Sequence, residues 1–187
     1  AKDVKLQVEF NPARVASYRL VGYENRVLQD RDFDDDRKDA GDIGAGHSVT
    51  ALYEVELTNA RAQRGRPLRY GRFAVDDHAN RSTELLTVSF RYKRPTGSES
   101  RLLAVAVKDR HAAFSRASGT FRFSAAVAEF GMLLRDSEER GNASMEHVIR
   151  TARAARGEDA HGYRAEFVSL AEMAAALSGE EPVYRPE

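Results

Sequence analysis

Residues 30–57 read DRDFDDDRKDAGDIGAGHSVTALYEVEL, an acidic segment that leads through three glycines into a strongly patterned run. From His47 to Leu57, apolar side chains occupy almost every second position, which is the period of a strand with one buried face. The stretch predicts a loop followed by a half-buried strand. It is also the place where side chains capable of binding a ligand crowd together beside an ordered element.

The same alternation appears on both sides of this stretch. Further alternating segments lie at residues 4–10, 18–23, 86–92 and 103–107, and residues 68–75 are expected to form an edge strand. Pro12 ends the first of them, because proline has no backbone donor for a ladder, and residues 13–17 are read as a short helical turn. Pro95–Ser98 has the composition of a hairpin turn. Residues 59–71 and 76–81 are read as exposed loops.

Strands joined by loops, without intervening helices, favour an antiparallel arrangement over a parallel one. We therefore predict an antiparallel β-sandwich of about five to seven strands over residues 1–112.

The period changes to that of an amphipathic helix beyond residue 112. Three helices are predicted within residues 113–179 and packed on the sandwich, the first with its apolar face at Phe123 and Phe130. Asn142 or Ser144 can cap the second helix, and Gly179 is placed to end the third. Residues 180–187 are expected to form a flexible tail. The predicted fold class is α+β.

Composition limits the possible functions. The 187 residues carry 29 basic and 29 acidic side chains, so the formal net charge is zero and argues against a nucleic-acid or anionic-lipid partner. Cysteine is absent, which excludes disulfides and thiolate chemistry. The apolar runs are far shorter than the roughly 20 residues of a spanning helix, so no direct membrane insertion is expected. The chain is expected to be a fragment whose upstream part holds any targeting signal.

Several long segments carry a family resemblance. They are VKLQVEFNPARVASYRLVGYENR, DFDDDRKDAGDIGAGHSVTALYEV, LLTVSFRYKRP, FSAAVAEFGMLLRDSEERGNAS and GYRAEFVSL, spread over residues 4 to 170. Together they resemble the C-terminal region of the YfbK-type bacterial von Willebrand factor A (VWA) domain proteins. The resemblance implies an accessory or interaction domain without enzymatic activity. Its expected partners are an adjoining VWA domain of the same chain and other proteins.

The resemblance also implies an extracytoplasmic location, because members of this family are thought to be exported or lipid-anchored. The metal-ion-dependent adhesion site of VWA domains begins Asp-x-Ser-x-Ser. This chain has Thr96-Gly97-Ser98-Glu99-Ser100 as its nearest string, without the initial aspartate. No metal-site residue is therefore carried over from the family.

The acidic segment is the best candidate metal site in the sequence, because clustered carboxylates are what hard cations such as calcium require. The candidate ligands are Asp34, Asp36, Asp39, Asp42 and His47. The spacing starts like an EF-hand but lacks its central glycine and final glutamate. The alternative is a solvated loop whose carboxylates pair with neighbouring basic side chains or cap a turn. A cation here would favour a second function, a metal-dependent hydrolase or a calcium-regulated binding module.

Other motifs are weaker, and neither a catalytic residue nor a cofactor is predicted. Gly41–His47 lacks the Gly-Lys-Ser/Thr and following helix of a phosphate-binding loop. The string Arg64-Gly65-Arg66-Pro67 resembles a minor-groove DNA-binding motif, but a solvated basic loop explains it better, and no nucleic-acid partner is predicted. The chain has no Gly-x-Ser-x-Gly. His78, His111, His147 and His161 are expected in loops or on polar helix faces, without metal-ligand spacing.

Overall fold

A computed structural model describes residues 1–22, 41–58 and 77–179, together with Phe33. The chain divides into two compact units, Ala1–Arg110 and His111–Glu187. The described strands are β1 (Lys2–Phe10), β2 (Val15–Leu20), β3 (Tyr53–Leu57), β4 (Glu84–Lys93) and β5 (Ser100–Lys108). The described helices are α1 (Asp77–Arg81), α2 (Gly119–Leu134), α3 (Met145–Ala154) and α4 (Tyr163–Ser178). The predicted fold class, antiparallel β-structure followed by three helices, is confirmed.

The first unit contains a three-stranded antiparallel sheet in the order β1-β4-β5. Strands β4 and β5 form the predicted hairpin, whose turn is closed by a 3.0 Å hydrogen bond from the Gly97 amide to the Arg94 carbonyl. Strand β1 pairs with the other side of β4, with Phe10 opposite Leu86. The hairpin and the long-range pairing together place β4 in the centre of the sheet.

A second sheet pairs β2 with β3, also antiparallel. It contacts β1 through aromatic rings. Phe10 stacks on Tyr18 with 4.0 Å between ring centroids, and it meets Tyr53 edge-on at 5.4 Å. Burial raises the pKa of the Tyr53 phenol, and the neighbouring Tyr18 raises it further. The second sheet therefore covers the Phe10 end of the first.

Asn11 fixes the point where β1 ends and the chain turns toward β2. Its side-chain amide donates to the carbonyls of Ala79, at 3.1 Å, and Glu84, at 2.8 Å. Its side-chain oxygen accepts from the Ala13 amide at 2.9 Å. Asparagine can do this because its side chain carries both donors and acceptor sites. One side chain thereby ties the β1–β2 turn to α1 and to the start of β4.

Several predicted boundaries were wrong in this unit. The strand expected from residue 47 begins only at Tyr53, and Val49 is 81% exposed. Residues 47–51 alternate but pair with no described strand, and alternation alone does not make a ladder. The loop expected at residues 76–81 contains α1, a helix too short to be detected by its period. Residues 13–17 were expected to form a helical turn, but β2 begins within them, at Val15. The strand predicted at residues 68–75 lies outside the described residues.

Two helix boundaries of the second unit lie where the sequence predicts them. The Ser144 hydroxyl accepts from the His147 amide at 3.1 Å, which confirms Ser144 as the cap of α3. Gly179, with φ of 76°, ends α4 in the left-handed conformation, as predicted. Gly162 offers no side chain to cap α4, and Asp159 supplies the acceptor by taking the Ala165 amide at 2.8 Å. That backbone hydrogen bond holds the pKa of the Asp159 carboxyl below its ordinary value.

The best-buried core of the described residues lies between these helices. One cluster joins all three helices: Phe130, Met145, Val148, Ile149, Ala171 and Ala175. A second cluster continues it with Ala126, Ala152 and Val168. Alanines line much of the contact, so the helix axes can approach closely.

Candidate interaction surfaces

Alternate residues of the three-stranded sheet form one apolar surface, which we call the sheet face. The strand register brings ten of them to the same side: Leu6, Val8, Phe10, Leu86, Val88, Phe90, Tyr92, Leu103, Val105 and Val107. The sheet face is apolar across all three strands. Alternation within each strand indicates such a face, but only the register brings the three stripes together.

The sheet face is exposed at Leu6 and along β5, and its remaining residues are partly buried. Leu6 is 49% exposed, Leu103 55% and Val105 62%, and none of the ten residues is buried. On the opposite side of β1, Lys5 is only 4% exposed. The prediction that the apolar side of β1 is the buried one was therefore wrong for Leu6. The described second sheet contacts this surface at Phe10, and Leu6 stays exposed.

An exposed apolar surface of this kind lacks the stabilisation that its burial would provide. Burying a Val, Leu or Phe side chain fully contributes about 1.5–3 kcal/mol relative to leaving it exposed. Single exposed apolar residues are common, whereas contiguous patches mark contact sites with other proteins or membranes. The sheet face is contiguous because its residues are cross-strand neighbours.

A second apolar surface lies in the helical unit, and we call it the helix groove. Helices α2 and α4 meet through side chains, which form a seam between them: Arg164 reaches Thr120, and Phe167 meets both Phe123 and Phe130 edge-on. Apolar residues beside this seam are exposed by 41–89%: Val127, Leu134, Tyr163, Leu170, Met173 and Leu177. They recur at the three- and four-residue spacings that share one helix side.

The position of α3 shows which side of the seam these residues occupy. Helix α2 contacts α3 through Glu129, and α4 contacts it through Glu172, which accepts from Arg153 at 2.6 Å. Successive residues are turned by about 100° around a helix axis. Around the axes of α2 and α4, the phenylalanines of the seam therefore lie between the residues that contact α3 and the exposed apolar residues. The helix groove therefore lies on the side of the seam that faces away from α3.

The candidate metal ligands are only partly within the described structure. Asp34, Asp36 and Asp39 lie outside the described residues. The Asp42 carboxylate accepts from the Asp3 amide at 3.1 Å, and the His47 amide donates to the Gly44 carbonyl at 3.3 Å. Within residues 1–22, 41–58 and 77–179, no group of three His, Asp or Glu side chains is placed to hold a metal ion. The cation site stays a prediction.

Calorimetric titration with calcium, magnesium, manganese and zinc tests that site. If the acidic segment binds a cation, we expect heat at micromolar concentrations that Asp34→Ala or Asp39→Ala abolishes, because each removes a charged oxygen ligand. Glu158→Ala, at an exposed acidic residue outside the segment, serves as the control. Absence of both heat and a thermal shift would leave the solvated-loop alternative.

His147 occupies a more specific environment than the sequence predicts. Its Nδ1 lies 2.8 Å from a Glu129 carboxylate oxygen, and its Nε2 lies 3.4 Å from the Thr151 hydroxyl. Glu129 and His147 are 18 residues apart on different helices, so no local spacing could have revealed the pair. The contact joins α2 to α3. The His147 amide also donates to the Ser144 cap, so the pair helps to position the start of α3 against α2.

The comparisons with known proteins identify the family. The family described as "Uncharacterized protein YfbK, C-terminal" matches residues 1–177. A curated relative, "Uncharacterized protein YfbK" from Escherichia coli (strain K12), is 42% identical over 174 residues. The chain belongs to the YfbK C-terminal family. This alignment covers 93% of the chain but only 30% of the relative, so the family region is part of a longer protein there.

No solved structure gave a significant match to the chain. Among the described helices, none combines the length and apolarity needed to cross a bilayer.

Proposed function

We propose that this YfbK C-terminal region is a non-enzymatic accessory domain that docks through its sheet face against the remainder of the same longer protein. The observation that carries the proposal is the open sheet face. It supports docking because covering an apolar surface three strands wide with a second protein layer removes that surface from water and stabilises the protein. From the resemblance to VWA proteins, we propose that the adjoining VWA domain is the element that docks.

The size of the family region supports an intramolecular partner. The E. coli relative has 70% of its length outside the matched segment, since the match covers 30% of it. A neighbouring domain on the same chain is held at high effective concentration, so a moderate interface suffices to keep it docked. The open surface needs no separate high-affinity partner under this proposal.

The resemblance to exported or lipid-anchored proteins further supports an extracytoplasmic location for the whole protein. Fractionation of cells that produce the full-length protein tests this point separately.

Cysteine labelling of the full-length protein tests the docking. This chain contains no cysteine, so Leu103→Cys places a single thiol on the sheet face. We expect maleimide to react with it at least about tenfold more slowly in the full-length protein than in the isolated chain, because docking must open locally first. Peptide-resolved mass spectrometry measures the two rates.

Leu102→Cys is the matched control for this experiment. Leu102 is 56% exposed, against 55% for Leu103, and it lies on the opposite face of the same strand. Its labelling rate is expected to be the same in both proteins. Equal rates for Leu103→Cys in the two proteins would contradict docking through the sheet face. Slowing restricted to a Leu177→Cys variant would assign the docking to the helix groove instead.

A further inference from the structure

Strand β5 has an unusual edge. It is the outer strand of its sheet, and Leu102–Val107 are six consecutive uncharged residues without proline. No described residue pairs with its outer side. Proteins commonly protect such edges with charges, prolines, bulges or a covering element, because an unpaired apolar strand is a template for another strand.

The register identifies the backbone groups that face outward. The Asn11 amide donates to the Leu85 carbonyl at 2.8 Å, so odd-numbered β4 residues bond to the β1 side. In an antiparallel sheet the backbone N–H and C=O groups of successive residues point to opposite sides of the strand. Even-numbered β4 residues therefore bond to β5. Their partners in β5 are odd-numbered, as in Val88 opposite Val105. The amides and carbonyls that remain free point outward from Leu102, Ala104 and Ala106.

We propose that this edge pairs with the β5 edge of a second copy of the chain. In an antiparallel arrangement centred on Val105, Ala104 meets Ala106 of the second copy as a hydrogen-bonded pair. Leu103 meets Val107 of the second copy on the sheet-face side. The pairing is self-complementary, as a two-fold interface requires. It continues the ladder with small residues at its hydrogen-bonded centre.

Charge selects this register. With Val105 at the two-fold axis, Arg101 lies opposite Asp109 of the second copy, and symmetry repeats the contact at the other end. Arg101 is exposed, and Asp109 directly follows the strand. The two-fold axis runs perpendicular to the sheet, so both sheet faces lie on the same side and stay available for the docking proposed above. The inference does not depend on that docking.

Analytical ultracentrifugation of the chain tests the pairing. We expect a concentration-dependent dimer. Ala104→Pro removes an outward donor without breaking the β4–β5 ladder, and proline is tolerated on edge strands for that reason. Because both copies carry the substitution, two intermolecular hydrogen bonds are lost. The dissociation constant of the dimer should therefore rise about 10- to 100-fold. Ala104→Val keeps the amide and should leave the dimer intact.

A surface variant keeps the test decisive if Ala104→Pro does not fold. Arg101→Glu places like charges opposite Asp109 and should weaken the dimer about 3- to 10-fold, while adding Asp109→Arg should restore it. A chain that is monomeric at its highest soluble concentration would overturn the proposal. So would a dimer that responds to neither Ala104→Pro nor Arg101→Glu, since its contact would lie elsewhere.

Discussion

Phe130→Ala is expected to lower the unfolding free energy of the helical unit by about 3–5 kcal/mol, the range for truncating a buried phenylalanine. Phe130 is 6% exposed and belongs to the cluster shared by α2, α3 and α4. Its ring meets Phe167 edge-on at 5.4 Å, so truncation also removes an aromatic contact. A loss of this size is a large part of the roughly 5–15 kcal/mol that stabilises a typical domain.

Urea unfolding followed by far-ultraviolet circular dichroism measures this loss, because the signal of the second unit is dominated by its helices. Leu134→Ala provides a control on the same helix, since Leu134 is 60% exposed. Its effect should stay within about 0.5 kcal/mol, as for most surface substitutions. If the two substitutions cost the same, Phe130 would not be the central residue of this core.

Asn11→Ala is expected to destabilise the first unit by about 2–4 kcal/mol, because a buried polar group left without its partner costs about 1–3 kcal/mol and these sites are partly buried. The substitution removes both donors to the Ala79 and Glu84 carbonyls. It also leaves the Ala13 amide without its acceptor. The β1–β2 turn would then be free to separate from α1 and β4.

Hydrogen exchange read at β1 and β4 amides localises this effect to the first unit. Asn11→Asp is the informative companion, because it keeps the acceptor for the Ala13 amide but turns both donors into an acceptor-only carboxylate beside two carbonyls. We expect it to be at least as destabilising as Asn11→Ala at neutral pH. An aspartate variant as stable as the parent chain would show that the two donated hydrogen bonds contribute little.

Some boundaries of this chain are set by neighbouring residues, and others by contacts between residues far apart in the sequence. Ser144 and Gly179 were predicted correctly as helix boundaries because capping depends on a few neighbouring residues. The strand expected from residue 47 was wrong at its start, because a strand exists only where a partner offers a ladder. Helix α1 was missed because its five residues are held by a contact from Asn11, which lies far away in the sequence.

The candidate surfaces follow the same division. The residues of the sheet face could be identified strand by strand from alternation, but alternation also predicted that Leu6 would be buried. Exposure depends on whether another layer covers the face, and periodicity carries no information about that layer. The helix groove was hidden for a related reason. Helices α2 and α4 are apolar on more than one side, so their sequences alone do not distinguish a second exposed stripe from a wider core.

The sequence by itself determined that antiparallel strands precede three helices, and it determined the hairpin turn, the boundaries at Ser144 and Gly179, and the family, because each depends on local pattern or on long matched segments. The tertiary structure alone decided that the apolar side of the sheet stays open, that β5 is an edge with free amides at Leu102, Ala104 and Ala106, and that Asn11 joins three elements. These features depend on strand order and register. Both are set by contacts between residues far apart in the chain, which no local pattern records.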